Sequence, residues 1–152
     1  MSAATPIRRA RPADAAAILE LERHFPSDRM SARAVRDFLR SPRATVWVAQ
    51  VEAGLVAGNL ILLTRARSRA ARIYSVVVDP VARGRGIAQR LLRAAEATAR
   101  KRGIAAITLE VRADNAAARA LYRKHGYAEI RTLPVFYDDG ADGVKLRKTL
   151  RP

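Results

Sequence analysis

Three side chains and one loop in the second half of the chain have the types and spacing to do chemistry. The loop is Arg83-Gly84-Arg85-Gly86-Ile87-Ala88, and the side chains are Glu110, Asn115 and Tyr122. Glycines admit backbone conformations closed to other residues and let the main chain approach a ligand. A helix that starts just after Gly86 has first amides with no partner inside the helix, and its dipole favours negative charge. That combination suits a phosphate or pyrophosphate. Glu110 can take a proton from a nucleophile, directly or through a water, and Tyr122 can offer one to a leaving group. Each also has a plain structural reading: Glu110 paired with Arg112, Asn115 as a helix cap, Tyr122 as a core aromatic, and the glycines as an ordinary turn. The loop is not a P-loop, because no Gly-Lys-Ser/Thr follows, and not a dinucleotide fingerprint, because Gln89 stands where the third glycine should be.

The flanking elements fit these roles. Ile73, Val76, Val77 and Val78 form a β-branched run that reads as a strand covered on both faces, ended by Asp79-Pro80. After Gly86, Ala88, Leu91, Leu92, Ala95 and Ala99 recur at helical spacing, Glu96 and Arg100 are placed as an exposed i,i+4 pair, and Gly103 closes the helix. Residues 105–112 alternate as a strand, with Ile107, Leu109 and Val111 on one face and Thr108, Glu110 and Arg112 on the other. Asp114-Asn115 caps a helix over 116–125, closed by Gly126, and strands follow over 127–132 and 144–150. Upstream, a short strand over 7–10 precedes a helix with Ala17, Ile18, Leu21 and Phe25 on one face. Ser31 caps a second helix, and a hairpin spans 45–63. Gly58 within that hairpin marks a bulge or a close backbone approach. No repeat or linker appears, so residues 1–152 read as one domain. The order predicts an α/β layered fold with a mixed, mostly antiparallel sheet of six to seven strands, a parallel central pair and about four flanking helices.

The loop and its neighbours resemble a known family. Arg83, Gly86 and Ala88 fill the defined positions of the Gln/Arg-x-x-Gly-x-Gly/Ala motif of the GNAT N-acetyltransferases. The run Leu109-Glu110-Val111-Arg112, the helix start Asn115-Ala116-Ala117-Ala118 and the Leu121-Tyr122 to Gly126-Tyr127 stretch resemble the bacterial ribosomal-protein and archaeal protein N-terminal acetyltransferases. The resemblance covers about residues 72–150; the first 70 residues match in layout. It implies acetyl-CoA as co-substrate, held by Val76, Val77, Val78, Arg83, Gly84, Arg85, Gly86, Ile87, Ala88 and Asn115. Glu110 is then the base and Tyr122 the acid, and the acceptor is a protein N-terminal amine. Acceptor contacts are implied around residues 25–30, at Phe25 and Met30, and at Tyr137. Arg119 is either a further phosphate contact or one solvated arginine among many. Where the family often has a Tyr-Tyr pair, this chain has Phe136-Tyr137, which removes one hydroxyl. A lysine side chain or small amine as acceptor, or a non-catalytic acyl-CoA or nucleic-acid module, are the competing readings.

Composition narrows the classes further. With no cysteine there is no disulfide, thiol nucleophile or thiolate site, and His24 and His125 have no ligand spacing, so no metal is expected. No apolar run approaches a membrane span and the first residues lack a signal-peptide core, so a cytoplasmic protein without a membrane partner is expected. The net charge is +15, and four of the 29 basic residues are lysines, leaving 25 arginines. These are scattered through every segment rather than blocked into a tail. No helix-turn-helix pair, RNP motif or zinc finger accompanies them, so a nucleic-acid partner is not expected from the sequence.

Overall fold

The structure, a computed structural model, describes residues 6–24 and 30–151. Its strands are β1 (Ile7–Arg9), β2 (Ala44–Gln50), β3 (Val56–Leu63), β4 (Ala70–Val78), β5 (Ala106–Arg112), β6 (Ala128–Leu133) and β7 (Gly143–Thr149). Its helices are α1 (Ala15–Glu22), α2 (Ala32–Arg40), α3 (Ile87–Lys101) and α4 (Ala116–Lys124). One seven-stranded sheet runs β1-β2-β3-β4-β5-β7-β6. Every neighbouring pair is antiparallel except β4 and β5, which are parallel. The mixed sheet with its parallel central pair is the architecture that the element order predicts.

Both faces of the sheet are covered, which is why the central strands read as continuous apolar runs. On one face Trp47, Leu60, Leu62 and Ile73 meet Leu91, Leu92, Ala95 and Ala99 of α3. On the other, Val46, Val48 and Ile61 meet Ile18 of α1 and Val35 of α2. The period of two along β2 and β3 thus divides one apolar run between two cores. Ser31 caps α2 as expected, its Oγ accepting from Ala34 N–H at 3.0 Å. Arg8 grips Asp14 with two bonds of 2.8 and 2.9 Å, and Arg11 N–H adds a third at 2.7 Å. The Arg8 guanidinium holds the Asp14 carboxyl below the usual carboxylate range, and the three bonds fix the turn that launches α1.

Two features seat α3. Gly58 lies beside the register shift of the β2–β3 ladder, where Ala49 pairs Gly58 but Gln50 pairs Val56. A Cβ at Gly58 would stand 3.1 Å from Val77 O and 3.1 Å from Ile87 Cγ2. Both sequence readings of this glycine, bulge and close approach, therefore hold. Glu96 corrects an expectation. It is 5% exposed rather than a surface partner of Arg100, which lies 3.9 Å away. Its oxygens accept from Lys148 Nζ at 2.7 Å and Tyr127 Oη at 3.0 Å. The helical pattern gave no warning of this, because Tyr127 and β7 reach Glu96 from 31 and 52 residues away. A buried carboxylate stripped of its cation is costly, so this trio ties α3 to the far end of the sheet.

Gly58→Ala should lower stability by about 1–3 kcal/mol, because the new methyl meets a backbone oxygen that cannot step aside. In a thermal unfolding experiment the midpoint should fall by roughly 3–10 °C. An unchanged midpoint would mean that α3 does not sit this close to β3.

Candidate active site

The site begins where two strands part. β4 and β5 pair only at Ala70–Ala106, Ala71–Ile107 and Arg72–Thr108. Past that point β5 stays with β7 up to Arg112–Gly143, while β4 stays with β3 up to Val78–Gly58. A bulge starts the divergence: Leu62 pairs Ile73 but Ile61 pairs Ser75, so Tyr74 is the extra residue. A bulge bends its strand and sharpens the local twist. The result is a V-shaped cleft of about 580 Å³ between residues 74–78 and residues 110–112.

Alternation along β4 decides which backbone groups face this opening. Asp79 N–H donates to Ala57 O at 2.8 Å, on the β3 side. Two residues back, Val77 therefore also turns toward β3, and the N–H and C=O of Val76 and Val78 turn toward the cleft. The expectation for residues 76–78 is refined in this way: all three line the cleft, but only Val76 and Val78 present backbone groups to it.

At the mouth of the V lies the glycine loop. Asp79 Oδ1 accepts from Val81 N–H at 3.0 Å and closes a 3-10 turn over Pro80–Ala82. Gly84 and Gly86 then adopt φ of 84° and 72°, a region costly for any residue with a Cβ. Nothing lies within 4 Å of a Cβ built on either glycine, so conformation rather than crowding requires them. Gly86 is the N-terminal cap of α3 and has no side chain to satisfy its first amides. Ile87 is 2% exposed and plugs into the core, while Ala88 and Gln89 line the cleft beside it. The start of a 15-residue helix thus points unpartnered donors at the cleft, an arrangement that fits a pyrophosphate.

Glu110 lies on the β5 arm of the fork, and its partner is Arg72 rather than Arg112. Arg72 Nε donates to Glu110 Oε2 at 3.0 Å, and the Arg72 guanidinium sits over the Tyr74 ring at 5.6 Å. The ion pair therefore bridges the two strands just where their ladder ends. Tyr122, on α4, is buried at 9% exposure and lines the same cleft. Its ring meets Tyr127 edge-on at 5.9 Å. Burial, with a smaller contribution from Tyr137, pushes its phenol up to about 12, so it is a neutral donor at any physiological pH. Asn115 lines the cleft and caps α4, its Oδ1 accepting from Ala118 N–H at 3.1 Å. The cap reading holds, and it leaves the amide nitrogen for other work. His125 also borders the cleft, held below its usual range mainly by burial.

The remaining expectations divide. Tyr137 lines the cleft under the Arg112 guanidinium, 5.1 Å from its ring. Arg112 ties the β5–α4 connection, through Asp114 at 3.2 Å, to the loop before β7, through Asp139 at 2.7 Å. Met30 does not line the cleft; it is 8% exposed and fills the second core with Ile18, Val35 and Val48. Phe25 lies outside the described residues. Arg119 is paired with Glu129 at 2.7 and 3.0 Å and donates to Ala113 O at 2.8 Å, and it is absent from the cleft lining. Sequence reasoning missed Glu22. It is 4% exposed, borders the cleft from α1, and accepts from Ser75 Oγ at 2.8 Å and Asn59 Nδ2 at 3.3 Å. The available signal was its place four residues after Ile18, a carboxylate on an apolar stripe. Among the described residues no three His, Cys, Asp or Glu side chains group as metal ligands, and no helix is long and apolar enough to cross a membrane.

Comparison with known proteins agrees with this geometry. N-alpha-acetyltransferase RimI of Mycobacterium tuberculosis is 42% identical over 77 residues, 50% of this chain and 47% of that protein. The aligned stretch thus spans less than half the length of that relative. The solved structure of ribosomal-protein-alanine N-acetyltransferase from Brucella melitensis superposes with a TM-score of 0.84 at 26% identity, over 95% of this chain and 99% of that one. Ard1 from Thermoplasma volcanium superposes with a TM-score of 0.88 over 99% and 100%, and at 24% identity it speaks to the fold alone. The family described as Acetyltransferase (GNAT) matches residues 14–127, most of the chain and all of the cleft's β4, glycine loop, β5 and α4. The chain belongs to the GNAT acetyltransferase family.

Proposed function

We propose that the chain transfers the acetyl group of acetyl-CoA to the N-terminal α-amine of a protein, by direct attack in a ternary complex. The observation that carries this reading is the fork: an unladdered β4 edge, a helix start with free donors at its mouth, and Glu110 and Tyr122 on its walls. Acetyl-CoA supplies an activated thioester on a long amide-bearing arm that ends in a pyrophosphate. The β4 edge offers Val76 and Val78 to the amides of that arm, and the amides after Gly86 offer themselves to the pyrophosphate. Arg83 and the amide nitrogen of Asn115 line the same cleft, and Arg85 lies in the glycine loop before α3 without lining it. One β4 N–H polarises the thioester oxygen as negative charge builds there. With no cysteine in the chain, no acetyl-thiol enzyme is available, and the amine attacks directly.

Glu110 receives the proton the amine loses, through a water, using the oxygen that Arg72 does not hold. Tyr122 steadies the departing sulfur. A thiol titrates near 8.5, and a phenol at about 12 lies over three units above it, so full transfer from Tyr122 is uphill by about 5 kcal/mol. Tyr122 therefore acts as a hydrogen-bond donor to the departing thiolate; water then protonates the thiolate, and Glu110 returns the amine's proton to water, so that the two transfers balance. Glu22 and Tyr137 form the acceptor side, with Glu22 placing negative charge where an amine arrives. The amine chemistry favours an N-terminus. Near neutral pH roughly a fifth of α-amines are already neutral, against fewer than about one in a thousand lysines, and a single carboxylate base suffices only for the first.

Peptides with a free N-terminus, peptides with a blocked N-terminus and an internal lysine, and polyamines should be compared by CoA release, with mass spectrometry to locate the acetyl group. Acetylation of the free α-amine alone is expected; turnover confined to lysine or polyamines would contradict the acceptor assignment. Tyr122→Phe should lower kcat by about 100-fold or more with acetyl-CoA affinity nearly unchanged. Because burial raises the Tyr122 pKa, its proton stays in place as pH rises until about 12. The kcat–pH profile should therefore show no falling limb from this residue below about pH 10. A falling limb below that pH that disappears in Tyr122→Phe, or an unchanged kcat in that variant, would remove it from this role.

A further inference from the structure

The arginines are scattered in the sequence, but the fold gathers eight of the 25 at one end. Four segments meet at the end of the sheet where β4 and β5 begin, opposite the cleft at their far ends. They are the α2–β2 turn, the β3–β4 loop, the end of α3 and the residues after β7. Hydrogen bonds join them. Thr64 N–H donates to Arg43 O at 2.8 Å, Ala105 N–H to Arg69 O at 2.6 Å, and Leu150 N–H to Ala105 O at 2.8 Å. Arg102 Nη1 donates to Thr45 Oγ1 at 3.1 Å.

The turn contributes Arg40 and Arg43, and the loop contributes Arg65, Arg67 and Arg69. The end of α3 adds Arg100, Lys101 and Arg102, and Arg151 follows β7. All nine are exposed. No Asp or Glu occurs in residues 38–51, 53–78, 97–109 or 143–152. Among the described residues only Arg100 has an ion pair, a loose one at 3.9 Å to the buried Glu96. Five acids lie at the other end, where Asp79, Asp114, Asp138, Asp139 and Asp142 follow or precede the strand ends that flank the cleft, while Asp37, three residues before Arg40, is an exposed acid beside the pole. Arg67 occupies a left-handed turn position at φ 65°, where a glycine is the cheaper residue.

We propose that this basic pole docks on the phosphate backbone of a double-stranded nucleic acid. Eight of the nine cations are arginines, whose planar forks match phosphate oxygens in a bidentate way. No aromatic residue lies in the four segments to stack an unpaired base, so the surface reads backbone charge rather than sequence or single strands. It does not fit a lipid surface: of the exposed large apolar residues, Tyr74 lines the cleft, and Leu55, Val81, Ile130, Val135 and Phe136 lie outside the four segments. Docking at this end leaves the cleft open, so the enzyme can be held beside acceptors that sit on the same polyanion. This rests on charge and topology, independently of which amine is acetylated.

The test is fluorescence anisotropy with labelled RNA and DNA duplexes of mixed sequence, titrated across salt. Each phosphate contact contributes a slope of about −0.9 in log K against log salt. The triple variant Arg65→Glu, Arg67→Glu, Arg69→Glu should flatten that slope by roughly 3 and weaken binding at least about tenfold. Its thermal midpoint should stay near that of the parent, which excludes misfolding. A control of equal charge change away from the pole, Arg33→Glu, Arg93→Glu, Arg131→Glu, all exposed, should bind far better than the pole variant. Binding to either duplex with this pattern supports the proposal, and preference for RNA or DNA names the source. Equal loss in both variants would mean that net charge alone binds, and would overturn it. Binding to anionic phosphatidylserine vesicles with none to duplexes would overturn it as well.

Discussion

The structure depends on one unfinished ladder. A backbone edge inside a sheet must find partners, because a buried unpaired N–H or C=O is costly. β4 satisfies this on its β3 side from Arg72 to Val78 except at the Tyr74 bulge, but its β5 side is paired only up to Arg72. The bulge at Tyr74 turns the strand away, and the Arg72–Glu110 ion pair, at 3.0 Å, holds the apex where the strands separate. The open edge is thereby made available at a fixed width, between walls that the rest of the sheet holds apart. A ligand that carries its own amides can complete the ladder as a further strand would.

Everything around the fork serves to keep it rigid. Gly58 lets α3 approach β3 closely enough for Ile87 and Leu91 to lock the helix start against the sheet. Glu96, Lys148 and Tyr127 tie the middle of α3 to the far strands, and Tyr127 in turn braces the Tyr122 ring. The donor that lines the cleft is thus positioned through a buried network that starts on the opposite side of the core. Arg112 does similar work at the rim, where it fastens the loop bearing Tyr137.

Much of this was legible in the sequence, and the rest was hidden for identifiable reasons. The glycine loop, the alternation that puts Glu110 on a polar strand face, and the caps at Ser31 and Asn115 are local features, so residue order announces them. The β4 run was legible as a strand, but the bulge that opens it was not, because Tyr74 in sequence looks like any strand residue. Glu96 read as a surface residue because its partners lie 31 and 52 positions away. Glu22 was overlooked because its partners, Asn59 and Ser75, are brought to it only by the sheet. Met30 packs in the second core rather than along the cleft, because the layout that suggested a contact does not fix which way the side chain faces. Arg119 pairs with Glu129 across a helix–strand corner, a contact that residue order does not announce. The basic pole is the same kind of case, invisible until four distant segments are joined.

Residue-resolved amide hydrogen exchange of the protein with and without acetyl-CoA tests the fork most directly. Val77, already bonded toward β3, should exchange slowly in both states. Val76 and Val78 should be fast in the free protein and become protected with acetyl-CoA, together with the amides of Ile87 and Ala88 at the start of α3. Protection that leaves Val76 and Val78 unchanged, or that appears only elsewhere on the sheet, would contradict the claim that the ligand completes the β4 edge.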